Sequence, residues 1–229
     1  MYQGGQALSY FWWALEINVP TGKDSLSMSQ QYPGGEKIIS PGTVSVSAGG
    51  EVSDVKKVVS PVMVNKEKTT FYHIDFSFDD LRLGGSAFAQ SLNKVGSDVP
   101  TCKNPEYFRD AFNAVQTLVN KGLVLAGHDI SAGGLITTLL EMCFANMEGG
   151  MEISLDKFGR HDIVKILLAE NPGVVVQIAD KHKAEFKKIM EDAGVGYLKL
   201  GHPTEERLIQ VTKDGAEYQF GIDYLRDVW

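Results

Sequence analysis

The segment from Gly127 to Gly134, with the sequence GHDISAGG, limits the possible fold more than any other part of the chain. It follows a short apolar run, residues 123–126, and precedes residues 135–144, in which apolar side chains recur at helical spacing. A strand therefore enters this loop and a helix leaves it. A helix N-terminus presents free N–H groups and the positive end of the helix dipole, and both favour anions.

Four residues of this loop predict a ligand site. The Asp129 carboxylate would hold Mg²⁺ through a hard oxygen, and the Ser131 hydroxyl would donate to a phosphate. Gly133 and Gly134 would let a ligand approach the backbone closely. The same residue types also occur at junctions that bind nothing, because Asp and Ser cap helices and Gly forms turns. From the loop alone, ligand binding and helix capping are both open.

Charge and size exclude several classes of function. The chain has 229 residues, 43% of them hydrophobic, and a formal net charge of −7. It fits one large domain or two small ones. A negative balance argues against a nucleic-acid surface, so any phosphate it binds belongs to a small nucleotide in a local pocket.

Hydropathy and cysteine usage predict a cytoplasmic protein. No run of 18 apolar residues and no leader-like N-terminus occurs, which argues against membrane insertion and secretion. Cys102 and Cys143 lack metal-ligand spacing and are expected to be reduced thiols. No Ser/His/Asp or Cys/His pairing can be identified, so nucleophilic catalysis has no support.

A break near Ser60-Pro61 divides the chain into residues 1–62 and 63–229. The first part is predicted to be a helix followed by strands, including residues 43–48, where Thr and Ser alternate with Val and Ala. The second part is predicted to be an α+β layered domain with helices against a mixed sheet. Its strands are placed at 71–76, 123–126, 172–178, 197–200 and 208–211, and its main helices at 105–120, 135–144 and 181–192.

Two further motifs and two acids are ambiguous. Gly22-Lys23-Asp24-Ser25 offers a cation, an acid and a hydroxyl to a nucleotide phosphate with its metal, but it lacks P-loop spacing and also suits a solvated turn. Leu83-Gly84-Gly85-Ser86 suits either a phosphate or a tight turn into a helix. Glu170 is a strand-entry residue or a group supporting the site, and Glu141 is expected at the surface.

Five motifs, taken together and in order, closely resemble phosphoribosylformylglycinamidine synthase of the large single-chain type. The resemblance covers nearly the whole chain. The motifs are Gly22–Met28, Ser40–Thr43, Leu83–Ala87, Gly127–Leu135 and Glu170–Gly173.

The resemblance implies most of the second synthase repeat of that enzyme, with the fold of aminoimidazole ribonucleotide synthetase. Residues 1–62 would be the remainder of its N-terminal subdomain, and residues 63–229 a complete C-terminal α/β/α layered subdomain with a mixed sheet. The family is an ATP-dependent ligase of purine biosynthesis that uses glutamine to convert formylglycinamide ribonucleotide to formylglycinamidine ribonucleotide. The implied partners are an adenine nucleotide, the first synthase repeat and the glutaminase domain.

In this repeat the resemblance implies a structural Mg²⁺ and ADP, with no catalytic residue. Asp129 would be the metal ligand, and Ser131 would contact the nucleotide together with Lys23 and the glycines of the loop. The family's other metal ligands, an aspartate, a glutamate and an asparagine, lie upstream of residue 1. Many members have arginine and aspartate where this chain has Ile130 and Ala132, so part of the polar lining is lost.

Three functions therefore remain open. The chain is a piece of the synthase that is inactive alone, a non-catalytic scaffold that binds Mg²⁺ and ADP, or a self-contained ATP-dependent enzyme of the same superfamily. Selenophosphate synthetase and thiamine phosphate kinase are examples of the last class. The crowded aromatic N-terminus, residues 10–13, and the lack of an upstream acidic metal motif count against it. Uncovered aromatic residues also predict self-association.

Overall fold

The computed structural model describes residues 2–23, 27–40, 42–52, 54–65 and 68–229. The chain divides into two compact units, Met1–Val55 and Lys56–Trp229. The division falls within the short 3₁₀ turn Val55–Lys57. The sequence places a boundary slightly later, and the assignment of residues 1–62 and 63–229 to two subdomains stays a prediction.

The described residues of the first unit form one α-helix and one small hairpin. Its helix is α1, Tyr2–Ala14, and its strands are β1, Ser29–Gln31, and β2, Lys37–Ile39, which pair antiparallel. The predicted strand at residues 43–48 is wrong: these residues, all of them described, adopt no strand. An alternating sequence stabilises a strand only where another strand pairs with it and its apolar face is buried, and here the side chains of Val44 and Val46 remain exposed.

The second unit is built on a seven-stranded sheet with the strand order β4-β6-β3-β7-β5-β8-β9. Neighbouring strands run antiparallel except for the parallel pair β5 and β8. This mixed sheet confirms the predicted α+β class. The strands are β3 Thr69–Asp75, β4 Val124–Asp129, β5 Gly150–Ser154, β6 Gly173–Ala179, β7 Tyr197–Thr204, β8 Leu208–Lys213 and β9 Ala216–Gly221.

Helices cover both faces of this sheet. Successive side chains of a strand point to opposite faces, and β3 shows the result: Phe71 packs in one apolar cluster, and Tyr72 and Ile74 in another. The first cluster includes residues of α4 (Gly134–Phe144), α5 (Ile163–Leu168) and α7 (Ile222–Val228). The second includes residues of α3 (Pro105–Asn120) and α6 (Lys183–Asp192). The helices are α2 Ala87–Ser91, α3 Pro105–Asn120, α4 Gly134–Phe144, α5 Ile163–Leu168, α6 Lys183–Asp192 and α7 Ile222–Val228, with 3₁₀ turns at Asp156–Phe158 and Asp180–His182.

No helix in the described part of the chain combines the length and the apolar character needed to cross a membrane.

The side chain of Gln177 fastens the segment before β3 to β6, an interior strand of the sheet. Gln177 is fully buried in β6. Its Oε1 accepts from the Val64 N–H at 2.8 Å, and its Nε2 donates to the Val64 carbonyl at 2.7 Å and to the Thr69 hydroxyl at 2.8 Å. The Gln177 amide thus supplies the hydrogen-bond partners of the Val64 N–H and carbonyl, in place of a neighbouring backbone.

We expect Gln177→Ala to lower the free energy of unfolding by about 3 kcal/mol, because it leaves buried donors and acceptors without partners. Urea unfolding measures the change. Gln219→Ala, at an exposed position in β9, is the control and should stay within about 0.5 kcal/mol of the parent chain. Equal stabilities for the two variants would show that the Gln177 contacts carry no net energy.

Candidate functional site

The loop between β4 and α4 is held in place from both sides. The Ile130 N–H donates to the Gly173 carbonyl at 2.8 Å, which extends the pairing of β4 with β6. From α4, the Thr138 hydroxyl donates to the Asp129 carbonyl at 3.1 Å. The backbone at Asp129 is therefore fixed before any ligand arrives.

Glycine is required where α4 begins. Gly133 and Gly134 have φ of +86° and +72°, in the left-handed region that residues with a Cβ rarely adopt. A Cβ on Gly134 would also lie 2.7 Å from the Leu167 carbonyl oxygen. These constraints come from the turn and from the packing of α5, so they account for both glycines without a ligand.

Neither Asp129 nor Ser131 caps α4. The N-cap residue is Gly133, which has no side chain to accept a hydrogen bond. The Glu170 carboxylate fills this role instead, since its Oε1 accepts from the Gly133 N–H at 2.8 Å. Because Glu170 supplies the cap, helix capping does not account for the side chains of Asp129 and Ser131. Ligand binding stays the open interpretation of these two residues.

Glu170 also connects two of the glycine loops. The same Oε1 accepts from the Ala87 N–H at 2.8 Å, at the first residue of α2. A carboxylate in contact with two helix starts is favourable, because both present unpaired N–H groups. From the sequence, Glu170 either begins a strand or supports the site. Its hydrogen bonds to the starts of two helices correspond to the supporting role.

The Leu83–Ser86 segment is a tight turn. The N–H groups of Gly84, Gly85 and Ser86 donate to the carbonyls of Asp98, Val95 and Leu83. The Ser86 hydroxyl then caps α2 by accepting from the Ala89 N–H at 3.1 Å. These amides already have partners, so the alternative that they bind a phosphate gains no support.

His128 lies between two carboxylates. Its Nδ1 is 3.1 Å from Asp129 Oδ1, and its Nε2 is 2.9 Å from Glu141 Oε2. Each ring nitrogen is within hydrogen-bond distance of a carboxylate oxygen, and which nitrogen donates depends on the tautomer. The Glu141 side chain is 25% exposed, so the expected surface position is only partly correct, and the residue supports the orientation of His128.

Asp129 can serve as a metal ligand but does not form a complete site. Its side chain is 71% exposed, which leaves carboxylate oxygen accessible to a cation. Within the described residues, no group of three or more His, Cys, Asp or Glu side chains converges to hold a metal. Mg²⁺ often takes one or two carboxylates and completes its shell with water and phosphate oxygens, so a single exposed carboxylate fits such an ion only together with other ligands.

The remaining predicted residues are less well defined. Ser131 is exposed beside Asp129. Lys23 is exposed in the first unit, and its motif neighbours Asp24, Ser25 and Leu26 lie outside the described residues. Lys23 and the Asp129 loop belong to different compact units, and their joint role in one site stays a prediction.

Both cysteines behave as unreactive thiols. Burial raises the pKa of Cys143 to about 12, and burial also raises the pKa of Cys102. Because the thiolate is the nucleophile, neither residue is suited to attack a substrate at neutral pH.

A model of the family described as AIR synthase related protein, C-terminal domain, matches residues 77–214, which is more than half of the chain. The chain belongs to this family. The match includes the Asp129 loop, Glu170 and most of the seven-stranded sheet, so this AIR synthase-related domain accounts for the larger unit.

Two curated relatives confirm the resemblance to phosphoribosylformylglycinamidine synthase. The chain is 34% identical over 232 residues to the probable chloroplastic/mitochondrial enzyme of Arabidopsis thaliana, and 34% identical over 221 residues to the enzyme of Homo sapiens. These alignments cover 100% and 94% of the chain. The chain spans only 16% of the length of either relative.

Solved structures of Thermotoga maritima PurL share the fold. The complex with FGAR has a TM-score of 0.60 at 16% identity and covers 75% of this chain and 30% of that one. The complex with ADP has a TM-score of 0.57 at 15% identity and covers 75% and 27%. This likeness confirms the AIR synthetase-like fold.

We expect Glu170→Ala to lower the free energy of unfolding by about 2 kcal/mol, because two N–H groups lose their shared acceptor. Glu170→Gln keeps one oxygen acceptor and should lose less. Urea unfolding gives the stabilities, and amide hydrogen exchange at Ala87 and Gly133 should accelerate in the alanine variant. Glu148→Ala, at an exposed position, is the control. Unchanged exchange at both amides would contradict the bridging role.

Proposed function

We propose that this AIR synthase-related domain works as part of a phosphoribosylformylglycinamidine synthase, where its Asp129 loop binds Mg²⁺ and an adenine nucleotide without catalysing turnover. One observation carries the proposal. Asp129 and Ser131 stand at the N-terminus of α4 with exposed side chains, while Glu170 supplies the helix cap. Their polar atoms are thus available to a ligand.

The names of related proteins support this function. The two curated relatives are named as this synthase, and PurL of the same fold has been solved with ATP, ADP and FGAR. The activity of the whole enzyme, including its use of ATP and glutamine, would require the rest of the synthase. The first synthase repeat and the glutaminase domain would then be its partners.

The contacts of the loop assign a role to each residue. Asp129 would provide one oxygen ligand, with its backbone held by Thr138 and by the Gly173 carbonyl. When bound, Mg²⁺ would neutralise charge on the nucleotide phosphates. Ser131 would donate to the nucleotide. Gly133 and Gly134 would contribute close backbone approach only, because their N–H groups already donate to Glu170 and to the Ser131 carbonyl.

Two further expectations stay predictions. Cytoplasmic location has no direct support, since the Arabidopsis relative is named as chloroplastic/mitochondrial. Self-association through the aromatic N-terminus is consistent with the exposure of Tyr10 and Trp13 in α1. Light scattering at micromolar concentrations gives the mass that decides it.

The competing function is a self-contained ATP-dependent enzyme. Unlike the non-catalytic scaffold, such an enzyme would hydrolyse ATP, and this difference can be measured. Turnover that is abolished by Asp129→Ala would favour the enzyme over the scaffold.

We expect calorimetric titration with Mg-ADP to show saturable binding that weakens at least about tenfold in Asp129→Ala, because removing a charged contact costs roughly 1.5–3 kcal/mol. Excess EDTA should have a similar effect on the parent chain. Asp192→Ala, at an exposed position in α6, is the matched control and should bind like the parent. A folded chain that does not bind Mg-ADP, or an Asp129 variant of equal affinity, would refute the nucleotide site.

A further inference from the structure

The larger unit contains a pocket that the Asp129 loop does not line. Its volume is about 340 Å³, at the lower end of the range for small-molecule sites. It opens beside the start of β7, and its walls include His73, Tyr107, Lys157, Phe158 and Tyr197. Three aromatic rings and a cation therefore surround one opening.

His73 is the unusual member of this wall. Its side chain is 8% exposed, and its Nδ1 has no hydrogen-bond partner among the described residues. Burial lowers the pKa of His73 to about 4, so the imidazole is neutral at physiological pH. Buried polar atoms of native proteins nearly always have a partner, and a ligand in the pocket that His73 lines could supply one after a small shift of the ring.

The acids of the pocket are already engaged. Asp75 accepts from the Ser77 N–H and hydroxyl and from the Phe78 N–H. Asp79 accepts from the Thr101 hydroxyl at 2.5 Å and pairs with Arg82 at 3.3 Å. These contacts hold both carboxylates in the loop after β3 and occupy the oxygens that a cationic ligand would need.

The donors of the pocket remain available. The Tyr107 hydroxyl oxygen accepts from the Gly196 N–H at 3.0 Å, which leaves its own O–H free to donate. Lys157 forms no ion pair with any described residue and is exposed at the rim. The unused polar groups therefore favour an acceptor-rich, anionic ligand.

A groove rich in lysine adjoins the pocket. It has a volume of about 380 Å³ and shares Lys157, Tyr197 and Leu198 with the pocket. It adds Lys183, Lys187 and Lys199 around Tyr72. Among these lysines, Lys183 pairs with Asp180 at 2.9 Å, and the others form no ion pair with the described residues. Such a concentration of positive charge is notable in a chain with a net charge of −7.

We propose that the pocket and the groove together bind one nucleoside monophosphate, with its planar ring beside Phe158 and His73 and its phosphate among Lys157, Lys187 and Lys199. Planar rings pack favourably against aromatic side chains, and lysines bind phosphate as point charges. The site needs no metal. It is separate from the Asp129 loop and does not rest on the proposed function.

Calorimetric titration of the chain with AMP in excess EDTA tests this proposal. We expect saturable binding at least about tenfold tighter than for adenosine or inorganic phosphate alone, because each of these carries only half of the contacts. Lys157→Met and Lys199→Met should each weaken AMP binding about tenfold. Lys188→Met changes an exposed lysine of α6 outside the groove and should have no effect.

Two variants distinguish this site from the Asp129 loop and from attraction by charge alone. Asp129→Ala should leave AMP binding unchanged, whereas loss of binding would assign AMP to the loop and overturn the proposal. His73→Phe keeps a ring but removes the unpartnered nitrogen, so it should weaken AMP and adenosine but not phosphate. If His73→Phe fails to fold, the exposed lysine variants still decide the result.

Absence of AMP binding by a chain with a cooperative unfolding transition would overturn the proposal. So would AMP binding no tighter than that of phosphate, or equal binding by the parent chain and the lysine variants. Failure here would leave the Mg-ADP titration at Asp129 unaffected, because that measurement depends on a different loop and on a metal.

Discussion

The carboxylate of Glu170 is the contact on which the geometry of the candidate site depends. It accepts from the Ala87 and Gly133 N–H groups, each at 2.8 Å. Both donors lie at helix starts, where N–H groups lack partners within the helix and negative charge is favoured. Glu170 precedes β6, which is paired with β3 on one side and β4 on the other. The sheet therefore fixes the chain that carries the carboxylate, and the carboxylate in turn fixes two glycine turns.

The second unit is well predicted wherever local signals are strong. Residues 105–120 form α3 with the predicted bounds, because Asn104 caps the Tyr107 N–H and Pro105 begins the first turn. The strand β9 is not predicted although Ala216, Tyr218 and Phe220 alternate with polar residues, because the run is short and mostly exposed and the strand forms by pairing with β8. The predicted strand at 43–48 shows the opposite case. Its alternation is present, but no strand pairs with it, and strand formation depends on such pairing more than on sequence.

The candidate site divides in a similar way. Asp129 and Ser131 are identifiable because the loop that carries them is continuous in sequence. The contacts that hold their loop join residues distant in sequence. Glu170 is 37 positions from Gly133, and Glu141 is 13 positions from His128. A sequence lists the residues able to cap a helix but does not say which of them does. Here a distant acid takes the cap, and the nearby acid is left exposed.

Charge distinguishes the two surfaces of the larger unit that we propose as nucleotide sites. At the Asp129 loop, Asp129 and Glu141 flank His128 and Glu170 binds the Gly133 N–H, and an isolated phosphate would be repelled by these acids. A phosphate is favoured there only when a divalent cation arrives with it and reverses the local charge. The groove with Lys157, Lys187 and Lys199 has the opposite sign and attracts phosphate directly. We therefore expect dependence on a metal to separate the two proposed sites, because their side chains carry charges of opposite sign.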